Sequence, residues 1–167
     1  TYAYHMPVGD NGTRFSIGLS AVMSQYSLHK SEFIIADQED EVITTSENSL
    51  IVPDAAMGLS LYKADKFYIH YGIYQLLGRE VNFLNEANLE NKRIRHHMFN
   101  VGVRFSAGEK LIFEPSALVK LTEGGMFQAD LGIKAEIKEL IAIGAYYRTG
   151  DAFVPYIGFY TKHLIFG

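Results

Sequence analysis

Residues Phe127 to Ile137 read FQADLGIKAEI, and apolar and polar side chains alternate along the whole segment. A two-residue period is that of an extended strand, because successive side chains of a strand point to opposite faces of its sheet. The same alternation runs from Arg14 to Tyr26 and from Leu111 to Leu121. No segment has a helical period. The sequence therefore predicts an all-β protein whose strands have one apolar face and one polar, partly charged face.

Composition narrows the class of protein further. The 167 residues contain no linker or low-complexity stretch, which predicts a single domain. No run of about 18 apolar residues is present, which excludes a membrane helix, whereas a strand of a membrane barrel needs only about 10 alternating residues. The net charge of -4 and the lack of a Lys/Arg stripe argue against nucleic acid as a partner. The absence of cysteine excludes a disulfide framework, a zinc-thiolate site and a cysteine nucleophile.

Ten strands are predicted, and the links between them follow a pattern. The strands are 1–8, 14–27, 55–63, 66–76, 96–107, 110–121, 126–137, 140–149, 153–161 and the start of another at 163–167. Tight turns are expected at 9–12, 64–65, 108–110, 138–139 and 162–163, and looser links at 28–54, 77–95, 122–125 and 150–152. Because the two kinds alternate, all the tight turns lie at one end of an antiparallel meander. Short turns at one rim and variable, sometimes long loops at the other are typical of outer-membrane barrels.

The polar row of the strands contains their charges, as a barrel with a wet lumen requires. These residues are Arg14, Lys66, His70, Arg104, Glu114, Lys120, Asp130, Lys134, Glu136 and Arg148. The strands of a soluble sandwich or lipocalin alternate in the same way, with the apolar row turned inward. The alternation alone therefore does not decide between a membrane barrel and a soluble β protein. Two further features favour the membrane barrel. Glycines recur in the polar row, as in a curved barrel interior, and aromatic residues occur in the apolar row near strand ends, as in an interfacial girdle.

Parity also predicts the register of the strands. Polar-row residues must face polar-row residues, so we expect facing positions in each hairpin to add up to an even number. The opposed pairs are then Lys120 with Gln128, Glu114 with Lys134 and, through a three-residue link that ends at Leu140, Asp130 with Arg148. We expect a structural charge network in the lumen, made of Glu114, Lys134, Asp130, Arg148, Lys120 and Arg104. Arginine in place of Leu131 or Ile133 should prevent folding into bilayers, whereas Gly132→Ser should be mild.

Four segments carry a family resemblance. They are TYAYHMPV leading to FSIGLSA (1–21), PDAAMG (53–58), LIFEPSALVK (111–120) and GAYYRTGDA (144–152). In this order they resemble the PorP/SprF family, outer-membrane β-barrel proteins of the Bacteroidetes type IX secretion and gliding machinery. The most specific piece is Tyr147, Arg148, Thr149, Gly150, Asp151 and Ala152.

The resemblance implies a fold, a location and a role. The chain begins and ends within strand-like sequence, so we expect residues 1–167 to be the middle and C-terminal part of a single outer-membrane β-barrel domain. The implied role is non-enzymatic: aiding export or surface attachment of cargo proteins such as adhesins. The implied partners are other type IX secretion and gliding components, secreted surface proteins and outer-membrane lipid. A passive pore or transporter for small solutes and a soluble ligand-binding β-barrel are the alternatives.

Catalytic and metal-binding readings are weaker. His96 and His97 are adjacent in a strand, so they point to opposite faces and cannot ligate one metal together. The acidic residues between Asp37 and Glu41 are hard-cation ligands by type, but neither EF-hand spacing nor a glycine is present, which favours a solvated acidic loop. Glu114 and Asp130 suggest an acid/base pair, yet cations lie nearby to neutralise both. We therefore expect no enzymatic activity, no cofactor and no metal.

Overall fold

The protein is an antiparallel meander of strands, as the alternating sequence predicts. The computed structural model describes residues 1–27, 49–81, 92–138 and 140–160 and the backbone of 165–166. The strands are β1 (Tyr2–Val8), β2 (Thr13–Ser27), β3 (Ser49–Lys63), β4 (Phe67–Tyr74), β5 (His96–Val103), β6 (Phe105–Ser106), β7 (Leu111–Thr122), β8 (Phe127–Ile137), β9 (Ile141–Arg148), β10 (Ala152–Tyr160) and β11 (Ile165–Phe166). The strands pair antiparallel in chain order in a single sheet, except that β5 and β6 both pair with β7, and within the described residues β1 and β11 remain its two ends. No helix of these residues is long and apolar enough to cross a membrane.

The short strand β6 continues β5 beyond an interruption at Arg104. Gly102 faces Ser116 and Phe105 faces Phe113, so the register against β7 is the same on both sides of Arg104. The backbone N–H of Arg104 donates to the carbonyl of Lys66 at 2.7 Å. The sheet therefore has ten consecutive strands, the number predicted.

Strand β3 is longer than its sequence suggested. It begins at Ser49 rather than at Ala55, and the added residues pair with the second half of β2. This added part contains Pro53, which has no N–H to donate to a ladder. Among the described residues β4 ends at Tyr74, so the part of β3 that contains Pro53 has no ladder partner in β4 and forms an edge there. Proline is tolerated at such an edge.

The links follow the predicted alternation, with one departure from the expected parity. Ile137 pairs with Ile141, so the link between β8 and β9 has three residues as expected. In the first hairpin, however, His5 faces Ser16, and these positions add up to an odd number. The four-residue link 9–12 causes this difference, because a link with an even number of residues shifts the polar row of β1 to odd positions.

The sheet has two unlike faces, which we name the polar face and the apolar face. The polar face carries the side chains of Ser16, Ser60, His70, Glu114, Lys134, Asp130 and Arg148. The apolar face carries Leu19, Ile69, Phe99, Leu131, Ile133 and Ile157, all exposed. Leu131 and Ile133 are 51% and 49% exposed, so they do not point into a closed core. Aromatic side chains near strand ends are exposed on the apolar face too: Phe105, Phe127, Tyr147, Phe153 and Phe159.

Candidate functional site

Four charged side chains meet on the polar face near the tight turns. Glu114 and Lys134 face each other across β7 and β8, as parity predicts, with Lys134 Nζ 3.1 Å from Glu114 Oε2. Lys134 Nζ is also 2.9 Å from Glu136 Oε1. Arg104 joins both carboxylates, with Nε 3.2 Å from Glu114 and Nη2 2.6 Å from Glu136. We name Arg104, Glu114, Lys134 and Glu136 the tight-turn cluster.

The tight-turn cluster is compact and electrically balanced. Both glutamate side chains are 12% exposed, and the two cations neutralise them within one patch that spans three neighbouring strands. Tyr68 donates a hydrogen bond from its hydroxyl to Glu114 Oε1 at 3.3 Å, and Arg104 also reaches Asp65 in the neighbouring turn at 3.5 Å. Charge-assisted hydrogen bonds of this kind are stronger than neutral ones. Together they tie β4, β5, β7 and β8 to one another.

A second group of charges lies on the polar face near the opposite rim. Asp130 faces Arg148 across β8 and β9, again as predicted. Two parallel hydrogen bonds join them, from Arg148 Nε to Oδ1 at 2.9 Å and from Nη2 to Oδ2 at 3.2 Å. Lys120 Nζ approaches Asp130 Oδ2 at 3.6 Å, and Arg148 Nη1 lies 3.6 Å from Asp151. This long-loop cluster of Lys120, Asp130, Arg148 and Asp151 is also neutral overall.

The motif YRTGDA forms the turn between β9 and β10. Thr149 is bonded to Ala129 of β8 twice, through its backbone N–H at 2.9 Å and through its hydroxyl, which accepts from the Ala129 N–H at 3.0 Å. Gly150 has a φ of 71°, a conformation that glycine adopts at little cost. The N–H of Asp151 donates to the carbonyl of Arg148 at 3.2 Å, which closes the turn. The motif therefore fixes the end of three strands beside the long-loop cluster.

Two glycines of the polar face are covered by tyrosine rings. Gly132 faces Tyr146 and Gly102 faces Tyr68. A Cβ added at Gly132 would be 2.1 Å from Cδ1 of Tyr146, and one added at Gly102 would be 2.4 Å from Cζ of Tyr68. This geometry argues against the expectation that Gly132→Ser is mild, because the Tyr146 ring would have to move to make room for a serine Cβ. The alternation of residues along a strand shows on which face of the sheet a glycine lies, but it does not show which aromatic ring covers that glycine.

A buried carboxylate anchors the base of the link between β4 and β5. The side chain of Asp54 is 1% exposed. Its Oδ1 accepts the N–H groups of Ala55 at 2.7 Å and Leu77 at 3.1 Å, and its Oδ2 is 3.4 Å from Nη1 of Arg93. Arg93 donates its backbone N–H to the carbonyl of Arg79 at 3.1 Å. Asp54 thus binds both arms of this link, before and after residues 82–91.

Arg95 connects the same link to the turn between β7 and β8. Its Nε donates to the carbonyl of Leu76 at 2.9 Å, and its Nη1 donates to Glu123 Oε1 at 3.0 Å. The hydrogen bond from Arg95 holds the pKa of the Glu123 carboxyl below its usual range. Sequence reasoning missed Asp54, Arg93, Arg95 and Glu123. Their partners are far apart in sequence, and no periodic signal joins them.

The catalytic and metal-binding candidates remain separate. His97 is bonded to Tyr71 of the apolar face, with Nδ1 and the hydroxyl 2.8 Å apart, whereas His96 falls in the polar row of β5. Glu114 and Asp130 each lie within a different cluster. No group of three metal-ligating side chains is present in the described ranges. The acidic residues 37–41 lie outside those ranges.

The apolar face is too large to be left in water. Among the described residues no large side chain is fully buried, and the buried apolar residues are Val52, Ala129 and Ala142. The sheet therefore packs no hydrophobic core from these residues alone. Exposed apolar patches of more than a few hundred Å² mark surfaces that contact membrane or protein.

Comparison with known proteins identifies the family. The family model for the type IX secretion system membrane protein PorP/SprF matches residues 1–167, which is the whole chain. No curated protein and no solved structure matches the chain. A two-faced antiparallel meander with an exposed apolar face agrees with a membrane protein of this kind. The chain therefore belongs to the PorP/SprF family of type IX secretion system membrane proteins.

Proposed function

We propose that this chain is the middle and C-terminal part of one outer-membrane β-barrel domain that aids export or surface attachment of type IX secretion cargo. The match of the PorP/SprF model over residues 1–167 is the observation that carries the proposal. The partners are other components of the secretion and gliding apparatus and secreted surface proteins such as adhesins. The proposal goes beyond the family match in two respects: which rim of the sheet faces the cell exterior, and which face of the sheet contacts lipid and which lines the lumen.

The strand lengths fit a lipid bilayer. Strand β8 has 11 residues. At about 3.4 Å per residue it is about 37 Å long, and a tilt of about 40° reduces its height to about 28 Å. The apolar band of an outer-membrane barrel is about 25 Å tall. The apolar face is thus tall enough to meet lipid, and the polar face lines the lumen.

The placement of the links supports an orientation. The long links between β2 and β3 and between β4 and β5 leave the same rim of the sheet, and the tight turns leave the other. Outer-membrane barrels have their short turns in the periplasm and their longer loops outside the cell. The rim of Asp54, Arg95 and Glu123 therefore faces the cell exterior, where cargo is displayed.

The polar face supports a binding and guiding role rather than catalysis. In the tight-turn and long-loop clusters each carboxylate has a cation within 4.0 Å, so these groups brace strands. A general acid or base instead needs a perturbed group that is free to reach a substrate. In this part of the barrel, charged side chains that form ion pairs between neighbouring strands line the lumen.

Deletion of the gene tests the proposal. We expect an intact outer membrane, unchanged uptake of small solutes and reduced amounts of specific cargo proteins in the medium and on the cell surface, measured by quantitative mass spectrometry. Re-expression of the wild-type protein should restore them. Re-expression of Gln128→Arg should also restore them, and Ile133→Arg should not. Normal cargo together with altered solute uptake would contradict the proposal and favour a passive pore.

A further inference from the structure

Four neighbouring strands bring two histidines and two serines into one row on the polar face. The register places His5 opposite Ser16, Ser16 opposite Ser60 and Ser60 opposite His70. Each imidazole is bonded to a hydroxyl: His5 Nδ1 is 2.6 Å from Ser16 Oγ, and His70 Nδ1 is 2.5 Å from Ser60 Oγ. The two rings therefore stand on either side of a pair of serines.

These contacts orient the rings. When a serine hydroxyl donates to Nδ1, the proton of the neutral ring lies on Nε2, which becomes a donor. The described residues offer the Nε2 atoms of His5 and His70 no hydrogen-bond partner. Tyr62 adds a hydroxyl 3.4 Å from His5 Nδ1, and Tyr68 stacks on His70 with ring centroids 5.0 Å apart. Both rings are thus held in place by neighbours that leave Nε2 available.

The row borders a hollow that is open to the polar face. Its volume is about 360 Å³, and Gly18 and Gly58 lie at its floor. Hydroxyl and imidazole groups supply its polar lining, from His5, Ser16, Ser60, Tyr62 and His70. No carboxylate lines it within the described part of the chain. The hollow therefore presents donors without an anion.

Arg14 differs from most cations of the polar row. That row contains six Lys or Arg residues: Arg14, Lys66, Arg104, Lys120, Lys134 and Arg148. Four of them have a carboxylate within 4.0 Å. Within the described ranges Arg14 and Lys66 have none. Lys66 lies in the turn after β3, whereas Arg14 is exposed opposite Tyr62, two residues along β2 from Ser16. Arg14 does not line the hollow itself, but it lies on the same face as Ser16 and opposite Tyr62, which both line it.

We propose that this hollow is an oxyanion-binding site whose occupant is a carboxylate group of an exported polypeptide. The identity of the occupant rests on the proposed function, whereas the oxyanion chemistry does not. Arg14 supplies the charge, because guanidinium groups recognise carboxylates and phosphates through paired hydrogen bonds. His5 and His70 supply ring N–H donors from both sides. Free phosphate has the same chemistry and is the second possible source.

Binding to the complete protein in detergent micelles tests the site. The probes are a short soluble peptide with two glutamates, the same peptide with glutamines in their place, and inorganic phosphate. Titration calorimetry gives the affinity, and NMR of ¹³C-labelled histidine reports contact, with signals assigned through His5→Asn and His70→Asn. We expect the glutamate peptide to shift both histidine signals and the glutamine peptide to shift neither. A response to phosphate with none to the glutamate peptide would retain the oxyanion site and overturn the polypeptide occupant.

Variants separate recognition from folding. Arg14→Gln should weaken binding at least tenfold, and Arg14→Lys should retain most of it. Gly58→Ala should also weaken it by narrowing the hollow, and it should fold, since an added Cβ meets only the Tyr71 carbonyl at 3.9 Å. Lys110→Gln removes an equal charge from an exposed turn and should leave affinity unchanged. Equal losses in Arg14→Gln and Lys110→Gln, or no histidine shift with any anion, would overturn the site. Binding in a protein whose deletion leaves cargo secretion normal would instead reject only the proposed function.

Discussion

Gly132 and Tyr146 face each other across β8 and β9, and the tyrosine ring occupies the space where any side chain at position 132 would begin. Gly132→Ala should therefore lower the free energy of unfolding by about 1–3 kcal/mol, the usual cost of overpacking. Urea titration in micelles measures this change. The matched control is Gly18→Ala on the same face, where an added Cβ has ordinary contacts at 3.6 and 3.7 Å. Equal stability of both variants would refute the steric role of Tyr146.

The second prediction concerns the face that meets lipid. Ile133→Arg should reduce the stability of the protein in bilayers by about 2–4 kcal/mol, because an arginine near the bilayer midplane loses its hydration. Gln128→Arg introduces the same residue on the polar face of the same strand and should fold normally. Folding into lipid vesicles, followed by the heat-dependent shift of the folded band on a gel, measures both. If Ile133→Arg inserts as well as Gln128→Arg, the apolar face does not contact lipid.

The third prediction concerns the tight-turn cluster. Lys134→Met leaves Glu114 and Glu136 close together with Arg104 as their remaining cation partner in the cluster, so unfolding should become easier by about 1–3 kcal/mol. Lys134→Arg should retain most of the stability. Lys110→Met, in an exposed turn, is the control for loss of one positive charge. An unchanged denaturation midpoint for Lys134→Met would show that the cluster does not brace the strands.

The fourth prediction concerns the buried carboxylate at the opposite rim. Asp54→Ala removes the acceptor of the Leu77 N–H and leaves Arg93 without its counter-ion. Breaking a buried pair in this way costs about 3–5 kcal/mol. Hydrogen exchange at Leu77 and Gly78 should therefore accelerate strongly. Asp151→Ala, an exposed aspartate of the same rim, should leave these amides protected, and equal exchange in the two variants would contradict the anchoring role.

The fifth prediction is a titration. Because Arg95 donates to the Glu123 carboxylate, the pKa of Glu123 should lie below 4.5, its ordinary value. Because the pKa is depressed in the folded protein, the contact stabilises the fold above pH 4.5. This stabilisation is lost as the pH falls through the lower pKa of the folded protein. Carboxyl ¹³C NMR measures it directly. Arg95→Gln should return the pKa of Glu123 toward 4.5, whereas Arg79→Gln should not; an unaltered titration in Arg95→Gln would refute the contact.

The sequence by itself determined the strands, their two faces and most of the register. Its two-residue period identifies which side chains share a face, and the odd-numbered links keep that parity from strand to strand, so Glu114 opposite Lys134 and Asp130 opposite Arg148 follow from spacing alone. In the first hairpin the facing positions add up to an odd number instead, because its link has four residues. Four segments, of which Tyr147 to Ala152 is the most specific piece, resemble the family, and the family match over the whole chain agrees.

The tertiary structure alone decided which side chains meet across strands that are distant in sequence. Parity assigns a face, but contact on that face depends on the curvature of the sheet and on the rotamers of long side chains. For this reason the ring of Tyr146 over Gly132, the anchoring of the 75–95 link by Asp54 and the row from His5 to His70 could not be read from spacing. The ion pairs of Arg104 and the lack of a carboxylate near Arg14 in the described part of the chain also depend on three-dimensional distance, because a charge interacts with its spatial neighbours rather than its neighbours in the chain.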